Sequence, residues 1–149
     1  MNTIDPQQAA RVWQRVQGSN NQSLEQQILE MIAQEWTDAT TYLQISRRFQ
    51  GKESAALRRL YEEEQTHAAC LKGIYTLITG NRPSVKATPP LWQDTEAVLR
   101  QCYGREMQSL ARYEALMADR EYGVVFARLA DQEREHCRTI LELLGNLKK

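Results

Sequence analysis

The chain has 149 residues, 42% of them hydrophobic and 26% charged, which fits one soluble globular domain with a single buried core. Nineteen basic residues balance nineteen acidic ones, so no electrostatic footprint points to nucleic acid or to an anionic membrane as partner. No apolar run approaches a membrane span, residues 1–10 lack the order of a secretory signal, and Cys70, Cys102 and Cys137 form no Cys-x-x-Cys pair; the expectation is a cytoplasmic protein with reduced thiols and no cysteine metal site.

Helix signals dominate, and Gly and Pro mark the breaks. Asp5-Pro6 begins a short N-terminal helix to about Gln17, so residues 1–22 are expected to form that helix and a linker. Ser23 with Gln26 resembles a capping box, and Leu24, Ile28, Ile32, Ala39, Tyr42, Ile45 and Phe49 then recur at helical spacing until Gly51. A second long helix is predicted over residues 54–79, with Leu57, Leu60, Ala68, Leu71, Ile74 and Ile78 on one face and Gly80-Asn81 as its stop. Residues 81–93, with Pro83, Pro89 and Pro90, are the one long irregular stretch. Asp94 caps a third helix to about Asp119, and a fourth runs over residues 122–144 to Gly145, leaving 146–149 as a tail.

Two helical hairpins joined by a longer link make an all-α four-helix bundle, expected over residues 23–145. A helix of about 25 residues is nearly 40 Å long, and about thirteen extended residues reach back over roughly that distance. The link therefore suits a long crossover between helices 2 and 3, with those two helices parallel.

Six polar residues interrupt the apolar stripes, and every long helix contributes near its middle. Glu35 lies between Ile32 and Ala39, and Glu64 with His67 between Leu60 and Leu71. Glu106 lies between Cys102 and Leu110, and Glu133 with His136 between Leu129 and Ile140. Both histidines of the chain stand three residues after a glutamate, an offset that shares one helical face. The halves also repeat in spacing: Glu35 precedes Tyr42 by seven residues, as Glu106 precedes Tyr113. A turn centred on Gly51 sets Glu35 and Glu64 about one helical turn apart in height, and a hinge one or two residues earlier would level them.

Four buried carboxylates without cations would cost far more than a domain's whole stability of about 5–15 kcal/mol. Two divalent ions cancel the four charges, and neutral imidazoles complete the shell. An oxygen and nitrogen donor set suits iron, or manganese, better than structural zinc.

One glutamate from each of two helices plus Glu-x-x-His from each of the other two resembles the ligand pattern of ferritin-like di-iron proteins. The segment of Glu35, Ala39 and Tyr42 and the segment of Gly104, Arg105, Glu106 and Tyr113 are similar to the first and third helices of rubrerythrins, and the likeness covers roughly residues 23–144. The resemblance implies a ferritin-like fold and two iron ions, with manganese or a mixed pair as variants, on Glu35, Glu64, His67, Glu106, Glu133 and His136. It implies Tyr42 and Tyr113 hydrogen-bonded to carboxylate ligands, and an oxidoreductase of oxidative-stress chemistry that reduces hydrogen peroxide or reacts with dioxygen. It also implies a homodimer. No rubredoxin-type Cys-x-x-Cys segment is present, so an external donor, a rubredoxin-like protein or a reductase, is expected to supply electrons. Where rubrerythrins commonly carry a further carboxylate three residues after the third-helix glutamate, this chain has Ser109; its first-helix counterpart Asp38 is either a seventh ligand or a solvated aspartate.

Two other functions fit the same residues: a ferroxidase that handles iron, and a ferritin-like scaffold in which metal only stabilises. Cys70 and Cys102 read as buried thiols, Glu62 and Glu63 beside Arg58 and Arg59 as a solvated charged face, and Trp13, Trp36 and Trp92 as packing or dimer contacts.

Overall fold

A computed structural model of the chain describes residues 22–88 and 94–147. The short N-terminal helix expected before residue 18, and Trp13 and Trp92, lie outside these residues. Four helices are present, α1 (Leu24–Ser46), α2 (Gly51–Thr79), α3 (Thr95–Leu116) and α4 (Gly123–Asn146), and no strand occurs among the described residues.

The caps follow the sequence. Ser23 Oγ accepts from the Gln26 amide at 3.2 Å, and Asp94 Oδ1 accepts from the Ala97 amide at 2.9 Å, each satisfying a donor that a helix start leaves unpaired. Gly80 closes α2 in the left-handed region at φ 75°, where a side chain would be strained. Three boundaries depart from expectation, and the simplest is that α3 ends at Leu116 rather than near Asp119. Gly51 does not stop α1; with φ 60° it opens α2, and Ser54 Oγ donates to the Ser46 carbonyl across the turn at 3.0 Å. Gly145 does not end α4, which continues through it to Asn146. The first turn therefore spans residues 47–50 and is centred before Gly51, which brings Glu35 and Glu64 to about equal height.

Every helix buries one face, and the apolar core forms two layers. One holds Ile28, Ile32, Leu71, Phe126 and Leu129; the other holds Ile45, Leu57, Leu60, Leu99 and Ile140. All four helices contribute to both layers, and the six interrupting polar residues lie between them along each helix. Cross-helix contacts set the directions. Glu35 and Tyr42 of α1 meet Tyr113 and Glu106 of α3, and Arg48 just beyond α1 meets Thr95 at the start of α3, so residue numbers rise along one as they fall along the other. Glu63 and His67 of α2 likewise meet His136 and Gln132 of α4.

The second turn is tight. Asp119 Oδ2 accepts from the Tyr122 amide at 2.8 Å, and the Gly123 amide donates to the Asp119 carbonyl at 3.0 Å. A methyl group on Gly123 would lie 2.3 Å from the Met117 carbonyl oxygen, a backbone atom that cannot swing aside. Gly123→Ala is expected to destabilise the protein by about 1–3 kcal/mol, read by denaturant melts. An unchanged midpoint would mean the turn relaxes freely.

Candidate metal centre

Glu35, Glu64, His67, Glu106, Glu133 and His136 are all brought together in the bundle interior, none more than 1% exposed. Their donor atoms form two overlapping groups, each within 4.8 Å: Glu35, Glu64, His67 and Glu133 in one, and Glu64, Glu106, Glu133 and His136 in the other. Glu64 and Glu133 belong to both. Glu35 and Glu106 each belong to one, as does each histidine. Two ions placed in the two groups would thus be bridged by two carboxylates and capped by one carboxylate and one imidazole apiece.

The hydrogen-bonding state of these atoms tests whether metal fits. Glu35 Oε2, both oxygens of Glu64, Glu106 Oε2, Glu133 Oε2 and His136 Nδ1 are buried with no hydrogen-bond partner. Such a concentration of orphaned acceptors in a core is costly unless something else satisfies them. His136 Nδ1 lies 2.5 Å from Glu64 Oε1 without hydrogen-bond alignment. A cation between the two atoms would take both as ligands and satisfy them. The residues fit two divalent ions.

The outer nitrogens point away from the centre. His67 Nε2 lies 2.5 Å from Gln132 Oε1, and His136 Nε2 lies 2.5 Å from Glu63 Oε2. Both partners are oxygen acceptors, so each Nε2 is placed to donate, while each Nδ1 faces the carboxylates of the centre, His67 Nδ1 with Glu133 Oε1 at 2.8 Å and His136 Nδ1 with Glu64 Oε1 at 2.5 Å; with metal bound, Nδ1 would be the ligand atom. The rings lie nearly parallel, 5.4 Å apart at 15°. Glu63, its side chain 41% exposed, is therefore only partly the solvated charge that its sequence neighbours imply, since its carboxylate also meets His136. Glu63 and Gln132 each stand one residue before a Glu-x-x-His glutamate, an extension of the repeat that the sequence contained.

The tyrosines cross between helices. Tyr42 Oη donates to Glu106 Oε1 at 2.6 Å, and Tyr113 Oη donates to Glu35 Oε1 at 2.7 Å, each from the helix opposite its acceptor. Burial and the neighbouring carboxylates push both phenols well above their usual range, so they remain donors. Tyr42→Phe leaves a buried carboxylate oxygen unpaired and is expected to cost about 1–3 kcal/mol in the metal-free protein, measured by urea unfolding. A loss below about half a kcal/mol would show that Glu106 finds another donor.

Electrostatics reflect crowding. Burial, then the charges of Glu106 and Glu35, lifts the Glu64 carboxyl well above its ordinary value. Burial also pushes Glu35 upward, but its contacts with Glu64, His67 and Tyr113 outweigh this and hold it below the usual value. For His136 burial acts to lower the value, yet hydrogen bonds to Glu106 and Glu63 push it up to about 9. Burial opposes protonation of His67 as well, and Glu35 and Gln132 still raise it.

Asp38 is neither solvated nor part of either donor group. It is fully buried, with Arg105 Nε at 2.6 Å and the Gln34 amide at 3.1 Å. Burial and the charge of Glu106 push its carboxyl up to about 8 against the pull of Arg105. Cations in the centre would cancel the Glu106 charge and leave the ion pair dominant. Burial raises the Cys102 thiol to about 12 and the Cys137 thiol to about 11, as expected of inert core cysteines. Cys70 is half-buried. Trp36 packs against the core with Lys72 Nζ 4.4 Å from its ring centre, a packing role.

A cleft of about 380 Å³ between α1 and α3 is lined by Gln34, Glu35, Ser109, Arg112 and Tyr113 and so reaches one edge of the centre. Gln34 and Asp38 stand at −1 and +3 from Glu35; Arg105 and Ser109 stand at the same offsets from Glu106. The uncharged pair, Gln34 and Ser109, lines the cleft beside Glu35. The ion pair of Asp38 and Arg105 fills the equivalent place beside Glu106.

The fold and site define a helical bundle with a buried carboxylate and histidine cluster able to hold metal. No protein-family model matches the chain, and no curated protein matches it significantly in sequence. Among the described residues no helix is long and apolar enough to cross a membrane.

Proposed function

We propose that this chain is a rubrerythrin-like non-haem di-iron oxidoreductase that reduces hydrogen peroxide, or reacts with dioxygen, with electrons from an external donor protein. The observation that carries the reading is the sharing of Glu64 and Glu133 between two donor groups, each completed by one inward-facing imidazole. Oxygen and nitrogen donors without thiolate favour iron, and a manganese or mixed pair meets the same demands. When bound, two ferrous ions supply one electron each, which with two protons convert hydrogen peroxide to two waters.

The residues of the chain do the rest. Glu63 and Gln132 hold the imidazoles in one tautomer, and the two tyrosines hold the terminal carboxylates by one oxygen, leaving the other turned to the centre. The cleft beside Glu35 gives a path for a molecule of a few atoms, and its edge contact with Glu35 and Tyr113 favours a reactive site over a closed structural one. The apolar layers on either side limit water.

A ferritin-like crossover belongs to the same proposal. It is supported by the opposed directions of α1 and α3 and of the two hairpin partners, which leave α2 and α3 pointing the same way. The Thr88 amide also donates to Thr37 Oγ1 at 2.9 Å, so the link runs beside the middle of α1. A homodimer is expected by the same likeness.

Elemental analysis after anaerobic ferrous loading, followed by a peroxide challenge monitored optically, tests the function. About two irons per chain with oxidation driven by peroxide is the expected result. Metal content at background removes the proposal, and a large hollow assembly that accumulates iron would favour storage instead.

A further inference from the structure

We propose that the two metal positions are unequal: the Glu106 and His136 position takes the first divalent ion and holds it more tightly, with Glu63 and Gln132 as the positioning residues that set the difference. This rests on the two-metal reading above.

The two imidazoles share one arrangement at Nε2 and differ there in the acceptor; they differ also at Nδ1, which for His67 meets Glu133 Oε1 at 2.8 Å in hydrogen-bond geometry and for His136 meets Glu64 Oε1 at 2.5 Å without it. Each turns Nδ1 to the centre, and each donates its Nε2 proton over 2.5 Å to the residue preceding the glutamate of the opposite helix. For His136 that acceptor is the carboxylate of Glu63; for His67 it is the neutral amide oxygen of Gln132. A carboxylate draws the Nε2 proton more strongly than an amide, which raises electron density at Nδ1 and makes it the stronger donor to a cation. Glu63 also brings a negative charge within a few ångströms of the His136 position. Its side chain is 41% exposed, so solvent screening reduces that charge, and the hydrogen bond carries most of the effect.

An independent asymmetry points the same way. Beside Glu106 the Asp38 and Arg105 ion pair fills the space between α1 and α3, whereas beside Glu35 the cleft opens to solvent. An ion at the His136 position is shielded from exchange on that side. An ion at the His67 position stands next to the path by which water, chelators and small anions arrive.

Mutual repulsion between two ions also separates binding steps, and substitutions distinguish that from the histidine effect. The experiment is a titration of chelator-stripped full-length protein with Co²⁺, followed by ligand-field absorption and calorimetry at one pH, with circular dichroism to verify each variant's fold. The wild-type protein is expected to bind two ions in resolved steps. Glu63→Gln keeps shape and a hydrogen bond while removing charge, and is expected to weaken the tighter step about tenfold and leave the weaker one nearly unchanged. Gln132→Glu is expected to strengthen the weaker step and narrow the gap, which keeps the idea testable if the first variant folds poorly. Equal weakening of both steps by Glu63→Gln, or no change in either, overturns the proposal. Two resolved, Glu63-dependent steps in a protein inert to peroxide would remove the oxidoreductase reading and leave this inference standing. A protein that binds no Co²⁺ removes both.

Discussion

Glu64→Ala and Glu133→Ala are each expected to abolish binding of both metal ions, whereas Glu35→Ala and Glu106→Ala should each remove one. The difference follows from membership: Glu64 and Glu133 serve both donor groups, and Glu35 and Glu106 serve one. Loss of a partner one bond beyond a ligand already costs about 10–100-fold in metal affinity, and loss of a ligand shared by two ions costs more at each. With one of the two shared carboxylates gone, the repulsion between the ions across a low-dielectric interior would also be less compensated. Peroxide turnover, if the functional reading holds, should fall to background in the two bridging variants. Metal content per chain is the measurement, made beside a check that each apo-variant folds. Two ions retained by Glu64→Ala would show that the overlap of the two groups does not represent bridging.

Loading with metal is expected to raise the melting temperature on the order of 20 °C, and by more at pH 9 than at pH 6.5. At a free concentration a thousand times the dissociation constant, each ion adds about 4 kcal/mol, and a domain of this size gains a few degrees per kcal/mol. The pH dependence comes from the metal-free state. His136 is raised from 6.5 to about 9 in the folded protein by its contacts with Glu106 and Glu63. A raised basic group contributes stability that is fully present below pH 6.5 and lost as pH climbs through 9. Glu64, also raised, binds a proton when folded that the unfolded chain releases, which acts in the same direction. Metal displaces these protons, so its binding strengthens over the same window. Paired scanning calorimetry of stripped and loaded protein reads both curves. A gap that narrows toward pH 9 would contradict the raised His136 value or the displacement of its proton.

The six central residues were legible because a polar residue in an apolar stripe at helical period has few ordinary reasons to be there. The doubled spacing then fixed which glutamates belonged together. Tyr42 and Tyr113 were legible as partners of carboxylates, though not the crossing by which each serves the glutamate of the other helix. The contact of Glu63 with His136 was not legible, and Gln132 did not stand out, because a residue one step from a core position points about 100° away on an isolated helix. Whether it reaches a neighbouring helix depends on the distance between axes, which one helix's sequence does not encode. Asp38 is similar: its burial depends on Arg105, 67 residues later, and an unpaired reading puts an aspartate in solvent. Gly51 and Gly145 illustrate a different limit. Glycine marks where a helix is free to stop, but at residue 51 it opens one and at 145 the helix passes through. The boundary of the domain at residue 22 and the short helix before it lie outside the described residues.

Neither hairpin of the bundle owns a complete set of donors. The first supplies Glu35, Glu64 and His67 and lacks Glu133; the second supplies Glu106, Glu133 and His136 and lacks Glu64. As the chain emerges from the ribosome, the earlier hairpin holds three of its four donors with no means of closing the shell until the later one docks. A metal ion would therefore find its full set of donors only once both hairpins have docked, and a truncated or misfolded product would lack them.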